Sequence, residues 1–286
     1  MPYMDRLTTI REISLLKSSA IMDLPNSENS EVKKPGDSYA QTFARGLAVI
    51  KTFNAQRPTQ TLTEVAEATG LARAGARRIL LTLVHLGYVE AHGRRFQLTP
   101  KILDLGFAYL SSMPFWDTAE PIVEMLVREL QQSSSIAVLD GSEIVFVLRV
   151  PIRKIMMLNL SIGSRLPASH TSMGRVLLAG LPEEELEANL AALASNPEKA
   201  RIAVDIEELR KTLAEVREQG WAMVNQELDV GLITMAAPIY NRNGRVIAAI
   251  NTSSPAGMGS KAHMKQCIAP LKAAADKISE LVKMRT

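Results

Sequence analysis

Apolar residues recur at helical spacing between about 41 and 86, and strand-like runs follow further along the chain. Between 41 and 58, Phe43, Leu47, Val49, Ile50 and Phe53 return with the period of a helix, and Pro58 closes the loop behind them. The stretch Leu62-Thr-Glu-Val-Ala-Glu-Ala-Thr-Gly70 predicts a short helix, capped by Thr61 or Thr63 and ended by Gly70. A third helix follows over about 73–86, with Ala76, Ile79, Leu80, Leu83 and Val84 as its apolar stripe and Gly87 as its stop. Tyr88-Val-Glu90 then reads as a strand, His92-Gly-Arg-Arg95 as a tight turn and Phe96-Gln-Leu98 as the returning strand. Three helices and a short hairpin, with only a few residues around Gly70 between helices two and three, predict a winged helix-turn-helix.

Residues 101–113 continue as a helix through Ile102, Leu103, Leu105, Gly106 and Leu110, bounded by Pro114; the segment is a spacer or a dimer contact. Beyond it, a helix near 117–131 precedes strands at Ser135–Leu139, Glu143–Val150 and Ile155–Leu160, with Asp140-Gly141 as a turn. Helices near 170–180, 182–193 and 205–219 lead to strands at Trp221–Gln226, Leu232–Tyr240 and Val246–Asn251, and a last helix fills 260–282. Asn241-Arg-Asn-Gly244 is a hairpin signal between the last two strands. Meandering hairpins with helices before and after predict an α+β fold, an antiparallel sheet with helices on one side. The expected organisation is a tail at 1–39, a DNA-binding unit at 40–100, a linker helix at 101–114 and a larger domain at 115–286.

Composition narrows the setting. With 47% apolar and 22% charged residues, the chain has an ordinary globular make-up. Its single cysteine permits no internal disulfide and no thiolate metal cluster, which points to the cytoplasm. No apolar run reaches the roughly 18 residues of a membrane span. Asp5, Glu12 and Asp23 interrupt what would be a signal peptide, so no membrane partner is expected. Aromatics at 5% argue against a carbohydrate cleft or a flavin site.

The net charge of +3 is unevenly distributed. Residues 1–39 carry 5 Lys/Arg and 6 Asp/Glu, residues 40–110 carry 9 and 4, and residues 111–286 carry 19 and 20. The excess therefore sits in the winged unit, where a concentrated positive field suits a polyanion. Arg73 and Arg77 share one face of the third helix, Arg78 and Thr82 lie beside them, and the apolar stripe is opposite. The major groove of DNA admits one helix, and arginine forks bond guanine edges or clamp phosphate. His92, Arg94 and Arg95 at the hairpin tip reach for a minor groove or backbone. A solvated arginine face is the alternative, but the charge asymmetry, the hairpin and the short inter-helix turn favour double-stranded DNA. One such unit covers little DNA, so a homodimer or tetramer is expected, with the first helix and the 101–113 helix as contacts.

In the larger domain, Leu166-Pro-Ala-Ser-His-Thr-Ser-Met-Gly174 places Ser169, Thr171 and Ser172 at the opening of the Arg175–Ala179 helix, with Arg165 and His170 near. Amides, hydroxyls and the positive end of a helix suit a carboxylate or phosphate; a plain helix cap is the alternative. Glu227, Thr234, Asn251 and Ser253 are polar groups at or beside apolar strands and can orient such a ligand. Enzyme readings find little support. Cys267 lies four residues after His263 without an orienting carboxylate, and His85, His92, His170 and His263 are too scattered for a metal site. Gly257-Met-Gly-Ser-Lys261 has the wrong order for a phosphate loop. No catalytic function, cofactor or metal is expected.

Residues 41–286 resemble the isocitrate-lyase-regulator (IclR) family of bacterial transcription factors. The likeness is carried by Phe43-Ala-Arg-Gly-Leu-Ala-Val-Ile50, Leu62-Thr-Glu-Val-Ala66, Thr69-Gly-Leu71, Leu86-Gly-Tyr88 and Phe96-Gln-Leu-Thr-Pro100. In the larger domain it is carried by Gly163-Ser-Arg-Leu-Pro167, Ser172-Met-Gly-Arg-Val-Leu-Leu-Ala179 and Met235-Ala-Ala-Pro-Ile239. Ala76–Leu83, Pro114-Phe-Trp116 and Ser133–Gly141 are similar to the branch that governs protocatechuate, 4-hydroxybenzoate and β-ketoadipate catabolism. The resemblance implies a promoter-bound dimer or tetramer whose GAF-like domain receives a small carboxylate, and an activator that meets RNA polymerase. It places the effector against Ser172, Met173, Asn251 and Ser253. Met173 is bulky where a small residue can occur, and Asn251 replaces a hydroxyl, so a ligand other than glyoxylate is implied. A larger domain that serves only assembly, or a repressor answering a different organic acid, are the competing readings.

Overall fold

The structure, a computed structural model, describes residues 39–113, 115–152, 160–195, 204–258 and 261–285. The expected tail up to residue 38, most of the expected strand at Ile155–Leu160 and the side chain of His263 lie outside the described residues. The chain divides into two compact units, Met1–Phe107 and Ala108–Thr286.

In the first unit, helices α1 (Gln41–Thr52), α2 (Leu62–Thr69) and α3 (Arg73–His85) are followed by strands β2 (Val89–His92) and β3 (Arg95–Leu98). Thr61 caps α2: its hydroxyl accepts from the Glu64 amide while the Glu64 carboxylate accepts from the Thr61 amide. Gly70 ends α2 in the left-handed region at φ 64°, which turns the chain into α3 with only Gly70, Leu71 and Ala72 between the helices. An unexpected short strand, β1 (Thr59–Thr61), pairs with β3 and makes the hairpin a three-stranded sheet of order β1-β3-β2. Val49, Phe53, Val65, Ile79, Leu80, Leu83 and Val89 form the core. Phe43 and Leu47, read as part of the α1 stripe, are 69% and 40% exposed instead. Val49 of that helix and Phe53 at its C-cap enter the core.

A 3₁₀ turn (Pro100–Ile102) precedes α4 (Leu103–Ser111), none of whose residues is buried. In the second unit, α5 (Trp116–Leu130) leads into strands β4 (Ser133–Asp140) and β5 (Glu143–Val150), joined through Gly141 at φ 61°. Strand β6 (Arg165–Pro167), α6 (Ser172–Ala179), α7 (Glu183–Ser195) and α8 (Ile206–Gln219) follow, then β7 (Ala222–Asn225), β8 (Leu232–Tyr240), β9 (Val246–Pro255) and α9 (Lys261–Arg285). The described strands of this unit form one antiparallel sheet in the order β6-β5-β4-β9-β8-β7.

Helices cover both faces of this sheet rather than one. Ile136, Met235, Ala237, Ile239, Ala248 and Ile250 pack with α5 and α9. The alternate residues Ala137, Ala236 and Ala249 pack with α6, α7 and α8. The sequence sign of this is the apolar run Met235–Ile239 in β8, since a strand stretch buried on both faces has no polar side to present. Alanines on the second face let α6 lie close to the sheet, and Gly174 lets the 3₁₀ turn at Ala168–His170 lie against α6. A Cβ there would stand 2.1 Å from the Ala168 carbonyl oxygen.

Candidate functional site

On the winged unit, Arg73, Arg77, Arg78 and Thr82 are all exposed along α3. Ala76, Ile79, Leu80 and Leu83 hold its other side in the core. The Thr82 hydroxyl donates to the Arg78 carbonyl at 2.9 Å, so its proton is committed to its own helix. At the hairpin tip, His92 and Arg95 are cross-strand partners around Gly93 (φ 62°) and Arg94. His92 lies 3.4 Å from Glu90, whose carboxyl is held below its usual range by the Gln97 amide first and by His92 second. Arg95 turns back toward β1, 3.5 Å from both the carbonyl and the hydroxyl of Thr59. This leaves α3 and the tip as a cationic surface without carboxylates among its own exposed groups, apart from Glu90. Such a surface suits phosphate and base edges.

The second unit contains a recess open to the surface, walled by β5, β8, β9 and the start of α6. The strand register explains where it forms. On the sheet face that α6 covers, Ser135 is opposite Asn251, and Ser253 is opposite Thr234, so one end of an otherwise apolar face is polar. The amino end of α6 stands over that end. Thr171 caps the helix, its hydroxyl accepting from the Gly174 amide at 3.0 Å, and the Ser172 hydroxyl donates to Thr234 Oγ1 at 2.9 Å. The Ser172 and Met173 amides lie in the first turn, where no helical carbonyl can reach them. Asn251 is buried and its Oδ1 accepts from the Ser135 amide at 3.0 Å.

Of the residues read from sequence, His170, Thr171, Ser172, Met173, Glu227, Thr234, Asn251 and Ser253 line this pocket. Arg165 and Ser169 do not. Arg165 is engaged by Glu143 at 2.7 Å and Asp140 at 2.5 Å beside the β4–β5 turn. Ser169 is buried behind His170, with its hydroxyl 2.9 Å from the imidazole Nδ1. Glu227 meets Arg175 through two bonds of 2.9 and 2.7 Å, and Arg175 also donates to the Ser169 carbonyl at 2.9 Å. This pairing braces the β7–β8 loop against α6.

Sequence reading missed two charged lining residues, Arg149 and Asp229, and the apolar walls Ile144, Phe146, Leu160, Leu166 and Leu232. Arg149 was legible only as a charge inside the apolar run of β5. It donates to the Ser135 hydroxyl at 3.2 Å, and burial pulls its pKa below the ordinary arginine value. A partly desolvated guanidinium gains more from an anion than one in water. The Cys267 thiol is buried, and burial pushes its pKa up, away from the thiolate. Among the described residues no group of His, Cys, Asp and Glu is arranged to hold a metal ion, and no helix is long and apolar enough to cross a membrane.

Comparison with known proteins agrees with both units. Residues 42–93 match the IclR helix-turn-helix domain, and residues 107–280 match the bacterial transcriptional regulator IclR C-terminal domain. The chain is 37% identical over 240 residues to the Pca regulon regulatory protein of Pseudomonas putida, covering 84% of this chain and 82% of that one. It is 32% identical over 240 residues to the p-hydroxybenzoate hydroxylase transcriptional activator of Acinetobacter baylyi, covering 82% and 89%. The crystal structure of a proposed transcriptional regulator from Rhodococcus sp. RHA1 superposes with a TM-score of 0.75 at 46% identity, covering 85% of this chain and 98% of that one. The chain thus belongs to the IclR family of bacterial transcriptional regulators, a DNA-binding regulator and not an enzyme.

Proposed function

We propose that this regulator senses a small organic carboxylate in the pocket beneath α6 and answers by changing how it engages promoter DNA. One observation carries the reading: a partly buried arginine, hydroxyls and the amino end of a helix converge on a recess with apolar walls. The names of the two relatives point to the catabolism of aromatic acids and, for one of them, to activation. Protocatechuate, 4-hydroxybenzoate and β-ketoadipate are therefore the first candidate signals, and RNA polymerase is the partner an activator would meet, in the cytoplasm.

In this reading residues 40–100 are the DNA-binding head, 101–114 the linker and 115–286 the sensor. Arg73, Arg77 and Arg78 of α3 meet the major groove, with Thr82 beside them, and His92, Arg94 and Arg95 meet the backbone or minor groove. Phe43 and Leu47 on α1 and Leu103, Phe107 and Tyr109 on α4 are exposed apolar groups suited to a second copy, giving a homodimer or tetramer. Effector binding shifts the equilibrium between assemblies that space the heads differently on DNA.

The test is fluorescence anisotropy on the promoter fragment flanking the gene, at two salt concentrations, with and without each acid. An acid that changes the affinity or the salt dependence supports the reading. Specific DNA binding that no small acid alters, with none detected by calorimetry, leaves a sensor domain that serves assembly alone.

A further inference from the structure

The β7–β8 loop brings a second charged group to the pocket. Gln226 takes a left-handed conformation (φ 60°), and its side-chain oxygen accepts from the Gly231 amide at 3.0 Å. The Gln226 amide donates to the Leu232 carbonyl at 2.8 Å and the Leu232 amide to the Asp229 carbonyl at 3.2 Å. These bonds fold 226–231 into a tight loop that delivers Glu227, Leu228 and Asp229 to the pocket wall. Glu227 is met by Arg175. Asp229 differs: its Oδ2 is shielded from solvent and accepts no hydrogen bond among the described residues. A buried carboxylate oxygen in that condition is costly, and a donor brought by a ligand relieves it.

Arg149 lies on the other side of the same recess. It is on β5, and β4 and β9 separate β5 from β8, so the two strand axes are about 14 Å apart at ~4.8 Å per step. Ile144, Phe146, Leu166 and Leu232 supply apolar wall around the recess. The pocket thus offers a cation and helix amides, an apolar middle, and a carboxylate acceptor on the β7–β8 side. A second carboxylate on the ligand would meet Asp229 with like charge, whereas a hydroxyl would donate to it.

From this arrangement we infer that Asp229 determines effector specificity: the pocket selects an acid with one carboxylate, an apolar body and a hydroxyl, over unhydroxylated acids and dicarboxylates. The inference rests on the effector-pocket reading above and adds to it which acids are admitted. Calorimetry on the full chain decides it, with benzoate, 4-hydroxybenzoate, 3,4-dihydroxybenzoate and adipate as probes, on the wild type, Asp229→Ala and Arg149→Gln. A hydroxylated benzoate should bind the wild type about tenfold or more tightly than benzoate, the scale of one hydrogen bond to a charged group. Asp229→Ala should bring the two within about twofold. Arg149→Gln should weaken all the benzoates together.

Equal affinity for benzoate and its hydroxylated forms, a preference that survives Asp229→Ala, or tightest binding of adipate would each overturn the role of Asp229. In those cases binding that Arg149→Gln still weakens would leave the carboxylate pocket standing. No binding of any probe would remove the pocket reading and this inference together. Circular dichroism of each variant separates loss of binding from loss of fold, and Asp229→Asn, which keeps an acceptor oxygen, serves in place of an alanine variant that fails to fold. It should retain part of the preference.

Discussion

The Ser172 hydroxyl donates to Thr234 Oγ1 over 2.9 Å, which ties the first residue of α6 to β8, and both side chains line the pocket. Ser172 is 1% exposed, so each role depends on the other. Ser172→Asp places a carboxylate where an effector anion is expected and should lower the affinity for an acid effector by about tenfold or more, about 1.4 kcal/mol, in calorimetry. Unchanged affinity on a folded variant would put the effector elsewhere. Thr234→Val leaves the Ser172 hydroxyl buried without its acceptor and should cost about 1–3 kcal/mol in chemical denaturation.

Gly174 is required by packing rather than by its backbone angle. A Cβ there would lie 2.1 Å from the Ala168 carbonyl oxygen and 2.3 Å from its Cα, and neither atom can rotate away. Gly174→Ala must push the 3₁₀ turn at Ala168–His170 off α6, at about 1–3 kcal/mol. Thermal unfolding should fall by about 2–4 °C for each kcal/mol lost. Effector affinity should fall with it, because the pocket-lining His170 belongs to the displaced turn and Thr171 follows it directly.

The cap of α2 predicts a dependence on acid. Glu64 has its carboxyl pulled below the ordinary range, first by the Thr61 amide and then by the Thr61 hydroxyl. A depressed folded-state pKa contributes stability above the unfolded-state value, and that contribution is lost as the pH falls through the folded-state value. Thr61→Ala should cost about 1 kcal/mol near neutral pH. The difference between wild type and variant, followed by urea unfolding across the acid range, should shrink as Glu64 becomes protonated. A constant difference would mean that the Thr61 hydroxyl takes no part in holding the Glu64 carboxylate.

Arg77 tests the division between the units. It is exposed on α3. Arg77→Ala should weaken binding to the specific promoter by about 1–3 kcal/mol if it reads a base edge, or reduce the salt slope by about one if it holds a phosphate. Either way, effector binding by calorimetry should be unchanged. Loss of both on a folded variant would contradict separate sites.

Much of this protein could be read along the chain. Short-range signals sufficed for the helix-turn-helix, because its elements are set by neighbours within a few residues: the Thr61–Glu64 cap, the left-handed Gly70 and the period of Ile79, Leu80 and Leu83. The same holds for the hairpins at Gly141 and Asn241–Gly244, where Asn241 Oδ1 accepts from the amides of Asn243 and Arg245. The hydroxyls at the opening of α6 were legible as candidate ligand groups because a helix end exposes amides whatever surrounds it.

Long-range register decided the rest. In a regular strand Phe146 and Arg149, three residues apart, would point to opposite faces. A bulge in the β4–β5 pairing, between Ile136 and Ala137, aligns Ser135 with Arg149 and Ala137 with Phe146, so both line the same pocket. Likewise Arg165, a plausible anion ligand by its position beside the α6 segment, is drawn away by Asp140 and Glu143, which a turn brings next to β6. Period and capping are properties of a few adjacent residues and are written in the sequence. Which face a residue takes beyond a bulge, and which charge it meets there, depends on how strands distant in sequence align, and only the folded sheet sets that.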